Sequence, residues 1–200
     1  MVSTDPTKIR PEAIAPTAVS LLDFSAGPAP QLGHYAVWHR DARCVRIAVI
    51  ERGTIEAIAA RDSIALEPLP EALSVLARFA RGEAVDVATA PVALAGPPFF
   101  SKIWSALRGV GRGEVCTYAH LARAARSPRA MRAVGQAMAK NPLPLVVPCH
   151  RVIADHARLG GYTGGTDRKR ALLALEGVDV DGDMVRPGQL ELLDRLSRPR

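Results

Sequence analysis

A two-part fold is what this chain predicts: an α/β unit first, then a mostly α-helical unit carrying a helix-turn-helix. Three observations predict it. Two runs of strand-like composition, Tyr35-Ala36-Val37-Trp38-His39 and Cys44-Val45-Arg46-Ile47-Ala48-Val49-Ile50, precede a helical pattern that starts at Pro70. The segment from Gly82 through Pro98 follows neither period and reads as a linker or irregular crossover. Beyond it, short runs with helical spacing are separated by Gly, Ser and Pro, and two of them are joined tightly enough for a helix-turn-helix. The 200 residues suit one large domain or two small ones. The boundaries expected are 1–95 for the α/β unit with its linker, 96–178 for the helical unit, and 179–200 for a tail.

Residues 1–33 are rich in Pro, Ala, Ser and Thr without strong periodicity, so a frayed start is expected. After the two strands, Arg52-Gly53 signals a turn and Thr54-Ile55-Glu56-Ala57-Ile58-Ala59 alternates like a third strand. Pro70 to Phe79 reads as a helix with Leu73, Val75, Leu76 and Phe79 inward and Pro near its start. In the second unit, Ser101 can cap a helix carrying Ile103, Trp104 and Leu107, with Trp104 as a core anchor, and Gly109 to Gly113 breaks it. Val115 to Tyr118 is a short extended piece. Thr117 then caps a helix through Ala125, and Ser127-Pro128 opens another that runs to Lys140. That second helix is thin, with Ala130, Ala133, Gly135, Ala137 and Ala139. Arg129 and Arg132 project from it. Small residues let a backbone approach a partner closely, although an ordinary Ala-rich core helix fits the same pattern. Leu143-Pro144-Leu145-Val146-Val147 reads as a buried strand. Thr166 to Leu175 forms a last helix closed by Gly177, and a turn-rich tail with a short polar helix follows.

Composition narrows the function classes. No apolar run approaches the ~18–20 residues of a membrane span, and the N-terminus has no apolar signal region, so a soluble cytoplasmic protein is expected. Cys44, Cys116 and Cys149 are odd in number and widely spaced, which argues against a disulfide framework and against a thiolate zinc site. Charge is unevenly placed. Residues 101–176 hold 13 basic and 4 acidic side chains, a net of +9 in a chain whose total is +6. A basic half beside an acidic remainder points to a polyanionic partner, or to a solvated Arg-rich surface.

Chemistry is concentrated in Pro148-Cys149-His150-Arg151-Val152. It places a lone thiol at the abrupt end of an apolar run, beside an imidazole. A thiol needs a base or a positive neighbour to become the nucleophilic thiolate. Taken alone, Cys149 could equally be a small buried hydrophobe and His150 a satisfied core residue. Downstream, Gly160-Gly161-Tyr162-Thr163-Gly164-Gly165 allows close backbone approach to a ligand. No Gly-Lys-Ser/Thr follows, so it is not a P-loop.

Over residues 99–177 the chain resembles the O6-alkylguanine-DNA alkyltransferase family. The resemblance rests on Phe99, Trp104, Gly113-Glu114-Val115 with Tyr118, Arg132-Ala133-Val134-Gly135, Asn141-Pro142, Pro148 to Val152, Gly161 to Gly165, Lys169 and Glu176-Gly177. It implies a ribonuclease-H-like α/β N-terminal domain and a helical, winged-helix-like C-terminal domain. It also implies direct reversal of DNA damage, with irreversible transfer of one alkyl group from guanine O6 to Cys149. Within that pattern, His150 prepares the thiolate and Glu176 orients His150. Tyr118 protonates the departing guanine, and Asn141 braces the turn. Arg132 enters the stack as the nucleotide flips out, with Ala133, Gly135, Arg129 and Arg151 on the DNA-binding surface. Pro144, Val152, Gly160, Tyr162, Thr163, Gly164 and Lys169 form the pocket. Thr163 stands where many relatives have Ser or Arg, which leaves its backbone N–H unaffected. Some relatives bind zinc in the first unit. Cys44, His34 and His39 lack the matching ligands here, so neither a metal nor any cofactor is expected. The expected partner is double-stranded DNA containing O6-alkylguanine, with no membrane, and the expected state is a monomer. Two rivals remain: a DNA-binding regulator with a reactive sensor cysteine, and a cysteine hydrolase. The hydrolase leaves Arg132 and the basic segment unexplained.

Overall fold

In the computed structural model, which describes residues 15–186, the first element among the described residues is a strand that lacks sequence alternation, β1 (Ala18–Asp23). Ala18, Val19 and Ser20 are all buried, because β1 is covered on both faces, and a strand covered on both faces shows no polar alternation. The two expected strands are present as β2 (His34–Arg40) and β3 (Arg43–Ile50). Asp41 and Ala42 join them, both at positive φ (49° and 55°), the backbone a two-residue hairpin turn needs.

The third strand expected at Thr54–Ala59 is instead a helix, α1 (Ile55–Asp62). Ile55 and Ala59 lie one turn apart and pack on Val19, Ala36 and Trp38. Six residues with a mixed pattern could not separate the two periods, and packing against the sheet chose the helix. Trp38 Nε1 donates to Asp62 Oδ2 at 2.9 Å and fixes the end of α1. β4 (Ala65–Leu66) then runs parallel to β1, giving the order β3-β2-β1-β4. The helix expected from Pro70 begins as a 3-10 turn and continues as α2 (Ser74–Ala80). Its Leu76 and Phe79 cover the opposite face of the sheet beside Leu22, Phe24 and Tyr35.

The segment 82–98 is irregular apart from a 3-10 turn at Val87–Thr89. It is nonetheless tied to β3, since Cys44 N donates to Pro91 O and Ala93 N to Cys44 O, both at 2.9 Å. α3 (Pro98–Leu107) starts earlier than expected, with Pro98 in its first turn. Ser101 therefore lies inside the helix, its hydroxyl bonded to Gly96 O, and does not cap it. Ile103, Trp104 and Leu107 are buried as expected, and Trp104 Nε1 reaches Ala137 O at 2.9 Å.

β5 (Cys116–Thr117) leads into α4 (Tyr118–Ala124), capped by Thr117 in a reciprocal arrangement with His120. α5 (Met131–Ala139) starts later than expected. Pro128 occupies the second place of a turn closed by Ala130 N to Ser127 O at 2.9 Å, where proline is as well suited as in a first helical turn.

Leu143–Val147 is not a strand. It forms a tight turn, with Val147 N bonded to Leu143 O at 2.8 Å and Leu145 at φ 79°. Its apolar residues are buried by packing from all sides, not by strand pairing, and Pro144 removes a ladder donor. β6 (Val152–Ile153) pairs in parallel with β5. α6 (Thr166–Leu175) has the expected bounds, and Gly177 at φ 83° ends it. A small hairpin follows, β7 (Val180–Asp181) and β8 (Met184–Val185), with Val185 packed on Val115, Ile153 and Leu173. Of residues 1–33, read as aperiodic with a frayed start, Ala18–Asp23 and Pro30–Leu32 are regular, while residues 1–14, and residues 187–200 of the tail read as ending in a polar helix, lie outside the described residues.

The fold is thus mixed α/β, and one core runs through both halves, from Leu22 and Ile47 to Trp104, Val134 and Leu172. Among the described residues, no helix is long and apolar enough to cross a membrane.

Candidate active site

The turn before Cys149 is held by a single side chain. Asn141 Oδ1 accepts from Leu143 N at 3.0 Å, and its Nδ2 donates to Val147 O at 2.8 Å and to Cys149 Sγ at 3.2 Å. One amide therefore closes the turn and points the thiol. Cys149 opens a 3-10 turn, Cys149–Arg151, and is half-buried. Burial raises its thiol pKa, against hydrogen bonds from Asn141 and Tyr162 and the nearby Lys169 ammonium. Cys44 and Cys116 are fully buried, and burial pushes both to about 12. Neither is a nucleophile at neutral pH.

Behind Cys149 lies a buried charge network. His150 Nε2 and Glu176 Oε1 are 3.1 Å apart, both side chains fully enclosed. Arg151 forks onto the same carboxylate, Nε to Oε2 at 2.8 Å and Nη2 to Oε1 at 2.7 Å. It also donates to Asp86 Oδ1 at 2.8 Å and Val110 O at 2.5 Å. Burial would raise the Glu176 pKa, but His150 and Arg151 prevail and hold it at about 2. An ionised Glu176 accepts Nε2–H of His150, which leaves Nδ1 as the proton acceptor of the ring. That Nδ1 is buried and has no hydrogen-bond partner among the described residues.

Arg151 was expected on a DNA-binding surface, and its position contradicts this. Its side chain is 0% exposed, and its donors are committed to Glu176, Asp86 and Val110. A guanidinium neutralising two carboxylates in the interior cannot also reach a phosphate.

The cleft beside Cys149 has two lobes. One, of about 300 Å3, is lined by Asn141, Pro144, Cys149, Tyr162, Thr163 and Gly164, with Met138, Tyr35, Val49 and Arg168. The other, of about 280 Å3, lies between Tyr118, Gly135, Gly161 and Cys149. Pro144, Tyr162, Thr163 and Gly164 thus line the first lobe, and Tyr118 lines the second. Burial, with Cys149 next, raises the Tyr118 pKa and keeps the phenol protonated.

Three expected lining residues stand behind the wall instead. Val152 is buried in β6. Gly160, at φ 70°, turns the chain where a Cβ would come within 3.2 Å of Ala154. Lys169 is fully buried, and its Nζ donates to Val152 O (2.6 Å), Leu159 O (2.5 Å) and Gly161 O (3.4 Å). It clips the glycine loop to β6 from beneath. Burial lowers its pKa to about 8, against the pull of Cys149.

On the outer face, Arg129 and Arg132 are exposed beside α5, with Ala133 and Gly135 half-buried. Sequence reasoning missed Asp86, Tyr35, Val49 and Arg168. Asp86, Tyr35 and Val49 reach the site through long-range packing that no local pattern marks, whereas Arg168 lies one helical turn beyond Gly164, whose carbonyl it bonds. β3 is joined to the active-site turn by Ile47 N to Pro142 O at 2.9 Å.

Comparison with known proteins places this geometry in context. A family model described as 6-O-methylguanine DNA methyltransferase, DNA binding domain, matches residues 98–178. The methylated-DNA–protein-cysteine methyltransferase of Haemophilus influenzae is 40% identical over 99 residues, 50% of this chain and 55% of that protein. That of Methanosarcina acetivorans is 42% identical over 109 residues, 54% of this chain and 68% of that protein. The chain thus spans only 55% of the length of the Haemophilus relative and 60% of that from Salmonella typhimurium. Among solved structures, Mycobacterium tuberculosis OGT in complex with DNA is similar at a TM-score of 0.64 and 30% identity, over 80% of this chain and 92% of that one. The O6-methylguanine-DNA methyltransferase of Pyrococcus kodakaraensis is similar at 0.60 and 30%, over 80% of this chain and 99% of that one.

Proposed function

The chain belongs to the methylated-DNA–protein-cysteine methyltransferase family, and from that premise we propose that it repairs O6-alkylguanine in DNA by moving the alkyl group onto Cys149. One observation carries the reading. A thiol held by Asn141 opens onto a cleft, and the neighbouring His150 is oriented by an ionised, buried Glu176. Burial raises the thiol pKa, so a base is required. His150, its Nε2 held by Glu176, accepts the thiol proton at Nδ1. The sulfur then bonds to the alkyl carbon as the carbon–O6 bond breaks. The electron pair passes to guanine, and Tyr118 returns a proton to the ring. The product is a thioether, a poor leaving group, so each molecule acts once.

The target atom lies inside a duplex, and the nucleotide must rotate out, at a cost of about a few kcal/mol. The exposed Arg132 on a thin α5 supports a role for this side chain in filling the gap, with Arg129 on phosphate and the small residues Ala133 and Gly135 against the minor groove. Arg151 has no such role. Double-stranded DNA carrying the lesion is thus the partner. The protein acts as a cytoplasmic monomer, and no cofactor takes part.

Finer fold readings accompany this. The sheet order β3-β2-β1-β4, with β4 parallel to β1, supports a ribonuclease-H-like first domain within residues 1–95. Helices α4 and α5 support a winged-helix-like domain at 96–178, and the β7–β8 hairpin, which lies within the expected tail 179–200, packs on it through Val185. A regulator with a sensor cysteine is not favoured.

The test is incubation with duplex DNA carrying labelled O6-methylguanine, followed by digestion. Label is expected on the Cys149 peptide, and Cys149→Ala is expected to abolish transfer while keeping DNA binding. Label released to solvent, or retained in the Cys149→Ala protein, would overturn the reading.

A further inference from the structure

Asp86 lies in the irregular segment between the two halves, far in sequence from Cys149, and yet it is bonded into the network behind the thiol. Three contacts run in series. His150 Nε2 meets Glu176 Oε1 at 3.1 Å, the same Oε1 accepts from Arg151 Nη2 at 2.7 Å, and the same Nη2 donates to Asp86 Oδ1 at 2.8 Å. Asp86 is itself held. Its Oδ1 also accepts from Ala88 N at 3.0 Å and caps the 3-10 turn Val87–Thr89. Arg108 grips that turn by donating to Ala88 O at 2.6 Å and Ala90 O at 2.7 Å. A cap needs only an oxygen, and asparagine or serine serves as well as aspartate. The charge of Asp86 is not needed for the cap.

The charge matters for the series. Two carboxylates face one guanidinium. With His150 neutral the series carries one net negative charge, and with His150 protonated it carries none. An uncompensated charge in the interior is costly. A proton passing from Cys149 to His150 therefore moves the series towards balance. Without the charge of Asp86, the same transfer would leave a net positive charge enclosed.

Other titratable groups stand around the series. Arg108 faces Asp86 from α3. Arg112, in the loop before β5, donates to Leu175 O beside Glu176. Cys116 on β5 faces Arg151, and burial holds its thiol at about 12. Lys169, Tyr118 and Tyr162 face Cys149. All of these are the same whether residue 86 is charged or neutral, so the direction of the effect is set by the Asp86 carboxylate.

We propose that Asp86 is a positioning residue for activation of the thiol: through Arg151 and Glu176, its carboxylate supplies the negative charge that an imidazolium at His150 balances. The inference rests on the proton-acceptor role of His150 in the alkyl-transfer reading above. The step balances: the S–H bond of Cys149 breaks, its electron pair stays on sulfur, and an N–H bond forms at His150 Nδ1. Asp86 gains and loses no proton.

The test is the pH dependence of Cys149 alkylation by iodoacetamide, followed by the mass of its peptide. The proteins compared are the wild type, Asp86→Asn, Asp86→Ser and Asp86→Glu, each checked by urea unfolding. Asn and Ser keep the cap and remove the charge, so a folding defect in one leaves the other to decide. The midpoint of thiol reactivity is expected about one pH unit higher in both neutral variants, which slows alkylation below it by about tenfold. Asp86 is 28% exposed, and the resulting screening keeps the shift this small. Asp86→Glu is expected to recover most of it. A carboxylate acting directly on the thiolate would give the opposite direction, because its removal favours the anion. A midpoint unchanged or lowered in the neutral variants overturns the proposal. Equal shifts in the neutral variants and Asp86→Glu also overturn it and assign Asp86 to packing alone. If methyl label from DNA never reaches wild-type Cys149, the repair reading fails, and the iodoacetamide profiles still decide the part played by Asp86.

Discussion

Arg151 and Arg132 carry the same guanidinium and count equally towards the charge of the basic segment, yet the fold uses them in opposite ways. Arg151 is enclosed, with Glu176, Asp86 and Val110 as partners. Arg132 stands exposed on α5. Arg108, Arg112 and Lys169 also donate to backbone carbonyls within the protein. Arg123, Arg126, Arg129, Arg132 and Lys140 are exposed. The net +9 of residues 101–176 is therefore not a surface charge. Part of it stiffens the site, and much of the outward part lies along α4 and α5. The comparison teaches that partners within reach, not composition, decide whether an arginine serves the fold or a ligand.

The largest expected effect tests the buried side. Glu176→Gln leaves Arg151 in the interior with only Asp86 as an ionic partner. Breaking a buried pair typically costs about 3–5 kcal/mol, so the urea midpoint should drop markedly and His150 should lose its orienting acceptor. A shift below about 1 kcal/mol would break the contrast with Arg132.

Acid should reveal the same network. Glu176 has a folded pKa of about 2 against an ordinary 4.5. Its contribution is complete above pH 4.5 and is lost as pH falls through 2. The loss is on the order of 3 kcal/mol. Unfolding measured across that range should show the loss in the wild-type protein and a flatter curve in Glu176→Gln.

Thr117→Ala should cost about 1 kcal/mol, because it removes the α4 cap but no buried charge. Thermal unfolding would read this directly. Smallest in stability is Arg132→Ala, expected within about 0.5 kcal/mol of wild type. Its effect should appear in repair, slowing transfer from duplex DNA far more than from the free base. Equal slowing on both substrates would remove Arg132 from the flipping step.

Much of this contrast was legible in the sequence where the signal is local. Thr117 as the α4 cap and Gly177 after α6 each act within a few residues, and the structure places both as read, although the reciprocal His120 of that cap was missed. The hairpin strands β2 and β3 carry enough β-branched and aromatic residues to be read directly. Signals failed where tertiary packing decides. β1 is covered on both faces and shows no alternation. Leu143–Val147 is apolar because it is enclosed, which a strand and a tight turn share. Arg151 next to His150 looks like a surface charge until Glu176 and Asp86 are folded against it. Tyr35 lines the cleft from β2, whose neighbour β3 is bonded to the turn at Pro142. A one-dimensional pattern carries no trace of that bond.

The most direct test is a titration of protein with excess duplex DNA containing O6-methylguanine, counting methyl groups gained per molecule by intact mass. A plateau at one methyl per chain, lost when Cys149 is replaced by alanine, is the predicted result. Continued turnover past one equivalent, or a methylated protein whose Cys149 thiol remains free, would contradict the account.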